Sequence, residues 1–215
     1  MEALHHFCFA GYHALGREGW GLLSVLNHVT LAPHAGLRPQ PIDGVEQVLI
    51  VRKGAIAHSG SMGGNCRTLA GEVELISPGP GITHADVNPS ARTAEYIEIR
   101  IRCDDPGERA QRKTVKFPGQ DQNGELILFA SGLLEDRPAM VLHAPARLSA
   151  ARVPTGGTLE YAPFPGRHVY ILSLKGQLAV NGIAIDQLEG AAVADEPLLR
   201  IKAKQFAEML IIDTP

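Results

Sequence analysis

The sequence predicts an all-β protein: two antiparallel β-barrels or sandwiches with little helix. Three observations carry this. The 215 residues include 23 Gly and 15 Pro, too much backbone punctuation for a helical bundle or a coiled coil. The apolar runs are short, alternate with polar residues and stop at turn signals, with no long capped stretch of 3.6-residue periodicity. The pattern of the first half also recurs in the second. With 45% hydrophobic and 20% charged residues, the chain has enough apolar side chain for a core and too little charge for a disordered segment.

The elements follow in order. Val45–Val51 is an apolar run that ends at Arg52-Lys53-Gly54. Ala55–His58 comes next, and then a turn at Gly60-Ser61-Met62-Gly63-Gly64-Asn65. In Glu72–Ile76, Val73 and Leu75 alternate with Glu72 and Glu74, as in a strand with one wet face. Pro78-Gly79-Pro80-Gly81 continues neither strand nor helix and predicts a loop. Ala94–Ile101 alternates again. Val48–Ala57 resembles Tyr170–Val180, with Gly54 opposite Gly176. Leu69–Val73 matches Leu188–Ala192, and Ala94–Ile99 matches Ala207–Ile212. Three matches in the same order predict an internal duplication, with domains 1–116 and 117–215 joined near Lys116–Gly124.

Charge and cysteine set limits. Lys and Arg number 20 against 23 Asp and Glu, a net charge of -3, so no basic excess invites nucleic acid. No apolar run has the length of a membrane span. The N-terminus MEALHHFCFAGYH lacks the layout of a signal peptide. Cys8, Cys66 and Cys103 are scattered and form no CxxC, which argues against structural zinc and a disulfide framework. The expected location is cytoplasmic.

A Gly-led strand followed by a Pro/Gly loop that leads into a His is the cupin arrangement, and the chain resembles the pirin-like bicupins over nearly its whole length. The resemblance rests on His5–Tyr12 (HHFCFAGY), Gly19-Trp20-Gly21, Val25-Leu26-Asn27 and Ala32–Pro39 (APHAGLRP). It also rests on Glu46, Gly54, His58 and Ser61-Met62-Gly63, on Gly81-Ile82-Thr83-His84 with Asn88 beyond, and on the C-terminal stretches from Val180 to Pro215. It implies an all-β bicupin, two antiparallel β-barrel (jelly-roll) domains. It further implies a metal held in the first domain by His-Pro-His ahead of a Glu together with a later His-x-Glu. In this chain those four positions hold Gln40, Ile42, His84 and Asp86. Ile42 offers no donor and Gln40 only a neutral oxygen, so the ligand set is degenerate.

The sequence offers other candidate residues. His34, on the approach loop, could rebuild a site with His84 and Asp86, while His58 reads as a framework histidine that hydrogen-bonds within the sheet. Glu46, if it faces the barrel, is a candidate general base; otherwise it is a carboxylate at a strand edge or paired with Arg38. Cys66, beside Arg67, is the candidate redox thiol. The expected function is a non-catalytic small-molecule-binding or sensing protein with a pocket around Gln40, Ile42, His84 and Asp86. No cofactor is expected or, failing that, a single Fe or other divalent transition metal. The resemblance also implies two alternatives: a metal-dependent quercetin 2,3-dioxygenase-type oxygenase with a rebuilt site, and a protein-binding transcription co-regulator. A small-molecule ligand and a protein partner are both compatible with the sequence, whereas nucleic acid and membrane are not.

Overall fold

A computed structural model describes residues 1–63, 66–105, 107–118 and 124–215. Gly64-Asn65, in the expected turn, and 119–123, in the expected joining segment, lie outside the described residues. Among the described residues there is no helix, and every regular element is a strand. Among the described residues, no helix is long and apolar enough to cross a membrane.

The chain divides into two compact units. The first comprises Met1–Gly19, Leu23–Phe117 and Leu142–Ala144; the second comprises Trp20–Leu22, Pro118–Val141 and Pro145–Pro215. In the first, a six-stranded sheet runs in the order Glu2–His5, Leu23–Leu31, Ala94–Arg102, Val45–Lys53, Glu72–Ser77, Gln111–Lys116. A four-stranded sheet runs Gln40–Ile42, Ile82–Val87, Ala55–Gly60, Arg67–Leu69. All these pairings are antiparallel.

The second unit repeats this plan. Its six-stranded sheet runs Met140–Val141, Leu126–Ser131, Arg147–Val153, Ala207–Thr214, His168–Lys175, Gly190–Val193. Its four-stranded sheet runs Thr158–Tyr161, Leu199–Ala203, Leu178–Val180, Ile183–Ile185. The matched segments occupy matched places. Val45–Lys53 and His168–Lys175 are both fourth or fifth in their sheets beside Ala94–Arg102 and Ala207–Thr214. Even the irregularities repeat, with a register shift at Val51/Lys53 in one and at Ser173/Lys175 in the other. Gly54 and Gly176 close the corresponding turns at φ 73° and 78°, a conformation that suits glycine.

The sheets face one another across apolar side chains, as two-layer β domains must. In the first unit, Val29, Leu31, Leu49, Val51, Ala94 and Tyr96 from the large sheet pack with Ile56 from the small one. Ile42 and Ile82 from the small sheet meet Ile76 from the large one. The second unit's core cluster is mainly aliphatic, with Leu199, Ile201 and Ala203 among its buried members beside Met209.

The expected wet face of Glu72–Ser77 is not found. Glu74 is buried, as is Glu98 on Ala94–Arg102. Both are tolerated because they are paired. Thr68 Oγ1 donates to Glu74 at 2.8 Å, and Asn27 Nδ2 donates to Glu98 at 3.1 Å. Arg100 Nε also donates to Glu98, at 2.8 Å. Buried carboxylates persist only with such partners.

Candidate metal and ligand site

The functional positions collect on the inner face of the small sheet of the first unit. Residues two apart on a strand point the same way, so Gln40 and Ile42 share a face, as do Ile82, His84 and Asp86, and Ile56 and His58. Register then sets neighbours: Gln40 lies opposite His84, Ile42 opposite Ile82, and His58 opposite Asp86. Gly60 lies opposite His84. A Cβ on Gly60 would lie 1.8 Å from the carbonyl oxygen of Thr83 and 3.0 Å from His84 Cα. Only glycine lets these two strands approach so closely here.

That approach brings His58, His84 and Asp86 together. His58 Nδ1 and His84 Nε2 each lie 2.9 Å from Asp86 Oδ1. The two imidazoles stack with centroids 5.3 Å apart, and all three residues are buried. Burial by itself raises the Asp86 carboxyl, but the hydrogen bonds and charges of His58 and His84 outweigh it and hold the group down at about 2. Asp86 is therefore an ionised carboxylate.

The far side of His58 is also fixed. Thr68 spends its hydroxyl proton on Glu74 Oε2, so its oxygen can only accept from His58 Nε2, at 3.1 Å. Glu74 Oε1 lies 3.2 Å from the same nitrogen, and Arg112 Nε lies 3.5 Å from Glu74. Nε2 therefore carries a proton, and Nδ1 is the nitrogen turned toward Asp86. The carboxylate oxygen 2.9 Å from Nδ1 lies at ordinary hydrogen-bond distance, so a proton on Nδ1 is donated to Asp86.

A recess beside this cluster is lined by Leu37, Arg38, Gln40, Ile42, His84 and Asp86, with Ala85 and Arg100. It has room for about one water molecule. In the same unit, both amide atoms of Gln47 are buried without a hydrogen-bond partner. Gln47 lies opposite Arg100 in the register and shares the inward face with Leu49 and Val51. Tyr96 is close enough to Asp86 and Glu98 for their charges to add to burial in raising its hydroxyl. Fully buried polar atoms without partners usually mark water or an ion.

The structure thus brings Gln40, Ile42, His84 and Asp86 together around one recess. Gln40 is exposed at its rim, whereas Ile42 is buried and packs against Ile76 and Ile82. His34 does not join them: it sits exposed on its loop at φ 56°, and the third donor of the cluster is His58. Glu46 faces away from the barrel interior, on the side of its strand opposite Gln47. It accepts from Ser77 Oγ at 2.7 Å and from the backbone N–H groups of His143 and Ala144 at 3.0 and 2.9 Å. With those bonds it is a structural clamp, neither a general base nor a partner of Arg38. Cys66 is exposed, and its carbonyl accepts the His58 backbone N–H at 3.1 Å.

The sequence reading missed Thr68, Glu74, Gln47 and Tyr96. One signal was available. Four consecutive apolar residues, Val48–Val51, mark a strand buried on both faces, and a carboxylate on the strand beside it then needs a partner.

The residues present fit the metal that this fold implies only in part. The four-donor pattern fails at Ile42 and Gln40. His58, His84 and Asp86 do offer three donor atoms within 4.8 Å of one another, the donor types of a two-histidine, one-carboxylate site. Bound there, such an ion would supply Lewis acidity and positions for exchangeable ligands.

Two duplicated units, each with a six-stranded and a four-stranded sheet around a core, with an inward polar cluster in the first, define a bicupin. Residues 1–101 match the family described as pirin, and residues 128–214 match the quercetinase C-terminal cupin domain. A pirin-like protein of Caulobacter vibrioides is 34% identical over 99% of this chain and 92% of its own length. A quercetin 2,3-dioxygenase of Escherichia coli K12 is 27% identical over 100% of this chain and 92% of its own. Among solved structures, the bacterial pirin YhhW of Escherichia coli in complex with nickel(II) superposes with a TM-score of 0.91 at 25% identity. That match covers 99% of this chain and 91% of that one. The chain belongs to the pirin family.

Proposed function

We propose that this chain is a sensing or regulatory pirin-like bicupin whose first domain holds an ion-sized ligand, rather than an oxygenase acting on a flavonol. The observation that carries this is the recess between Gln40, Ile42, His84 and Asp86. It has room for about one water, and an isoleucine side chain fills the place where the family pattern has a histidine. A drug-sized aromatic ligand requires a pocket of roughly 300 Å³ or more. The relatives named quercetin 2,3-dioxygenase and the His58/His84/Asp86 cluster support a second reading, a quercetin 2,3-dioxygenase-type activity at a rebuilt site.

Oxygen uptake separates the two. The protein is incubated with quercetin before and after loading with Fe(II), Mn(II), Ni(II) or Co(II), against protein-free controls with the same metals. The expected result is uptake no faster than the controls in every case. Uptake matched to quercetin consumed would establish the second reading.

A further inference from the structure

The two sheets of the first unit stay open along one side. Arg67–Leu69 ends the four-stranded sheet and Gln111–Lys116 ends the six-stranded one, each paired with a single neighbour. Residues of both edges line one cleft of about 530 Å³, formed by Met62, Gly63, Cys66, Arg67, Arg112 and Thr114. None of these lines the recess at Gln40 and His84. We propose that the cleft binds a small organic phosphate monoester, with the phosphate on Arg67, Arg112 and Thr114 and the apolar body against Met62. This goes beyond the reading of the recess and does not depend on it.

Three observations carry it. The first is register. Arg112 lies opposite Ile76 and Thr114 opposite Glu74, and partners across an antiparallel ladder share a face. Ile76 and Glu74 both meet residues of the small sheet, so Arg112 and Thr114 point between the sheets. Lys113 points the other way.

The second is unused donor capacity. The Arg112 side chain is 14% exposed, and its one charged partner is Glu74, 3.5 Å from Nε. Nε is buried without a hydrogen-bond partner, because Glu74 is engaged by Thr68 and His58. Arg67 is exposed, and among the described residues its side chain makes no hydrogen bond or ion pair. Glu74 offsets one positive charge and leaves the cleft cationic. Guanidinium forks bind phosphate through paired N–H···O bonds, and the Thr114 hydroxyl adds a further donor. A three-oxygen dianion uses this donor set more fully than a two-oxygen carboxylate.

The third is size and wall. Clefts that take organic ligands span roughly 300 to 1,000 Å³, a range this one enters. Its apolar wall is Met62, which packs on Ile42, Ile76 and Ile82, and a thioether adapts to a ligand's shape.

The test uses the full chain and phenyl phosphate as the probe. Binding is followed by titration calorimetry, and iodoacetamide alkylation of the exposed Cys66 is followed by peptide mass mapping. The parent is expected to bind one phenyl phosphate per chain, inorganic phosphate more weakly, and phenol not at all. Bound probe is expected to slow alkylation of Cys66. Arg67→Glu is expected to weaken binding about 10-fold or more and to abolish the protection. Lys113→Glu makes the same charge change on the opposite face and is expected to bind close to the parent.

No saturable binding by the parent, or undiminished binding in Arg67→Glu, would overturn the proposal. Equal losses in Arg67→Glu and Lys113→Glu would show a general response to charge and overturn it too. Should Arg67→Glu fail to fold, the parent decides: saturable binding that leaves Cys66 unprotected lies elsewhere and overturns the site. Failure of the recess reading appears separately, as oxygen uptake with quercetin.

Discussion

At the scale of single residues, two buried groups give the fold its acid sensitivity. His6 is buried, and desolvation, reinforced by Arg17 and His28, lowers its pKa from 6.5 to about 4. Between those values the unfolded chain binds a proton that the folded chain does not, so stability falls as the pH drops from 6.5 to 4 and levels off below. The full effect is about 3 kcal/mol. His6→Gln is expected to flatten the dependence of denaturant midpoint on pH across that window. Asp86 works in the same direction lower down. Its value of about 2 against 3.8 unfolded contributes about 2 kcal/mol. That contribution is complete above pH 3.8 and is lost as pH falls through 2. In Asp86→Asn the acid limb of the stability profile should lose this component, read by urea unfolding between pH 5 and 2. Neither effect was legible from composition. Nothing in the string HHFCF shows which of His5 and His6 is desolvated, and Asp86 owes its low value to His58, 28 residues away in the chain.

Elements show a different balance. The strands, their order and the duplication could be read from the alternating runs and from Gly54/Gly176, because a turn that requires φ > 0 leaves a residue-type signature. The depth of burial could not. The Glu72–Ser77 alternation suggests one wet face, yet Glu74 lies inside, since which faces are covered depends on the second layer of the fold. The duplicated glycines are also not equivalent. A Cβ on Gly54 would meet Ala94 at 3.2 Å, while one on Gly176 would lie 2.3 Å from the carbonyl oxygen of Phe206. Gly176→Ala should therefore cost more than Gly54→Ala. Expected losses are about 1 kcal/mol for Gly54, from the φ strain, and roughly 2 kcal/mol or more for Gly176, ranked by thermal unfolding. Gly60→Ala belongs to the same scale and strikes the site. Its Cβ would collide with the Thr83 backbone, pushing the His58 strand from the His84 strand.

At the scale of the whole molecule, the two units use one plan for different ends. In the second, the small-sheet strand Leu199–Ala203 turns Leu199, Ile201 and Ala203 into an aliphatic core. In the first, its counterpart Ile82–Val87 turns Ile82, His84 and Asp86 inward, and a polar cluster takes the place of hydrocarbon. Family membership was legible in the spaced motifs, and so was the departure at Gln40 and Ile42. What the chain does with that departure was not, because His58 is 26 residues from His84 and reads as a framework position until the sheet is folded.

The central claim is that the recess at Gln40, Ile42, His84 and Asp86 admits something the size of an ion and not a flavonol. Titration calorimetry with quercetin, on the metal-stripped chain and on the chain loaded with Co(II), tests it most directly. The account predicts no saturable heat of binding in either form. One-to-one saturable binding that disappears when the recess is altered by Ile42→Trp would contradict it.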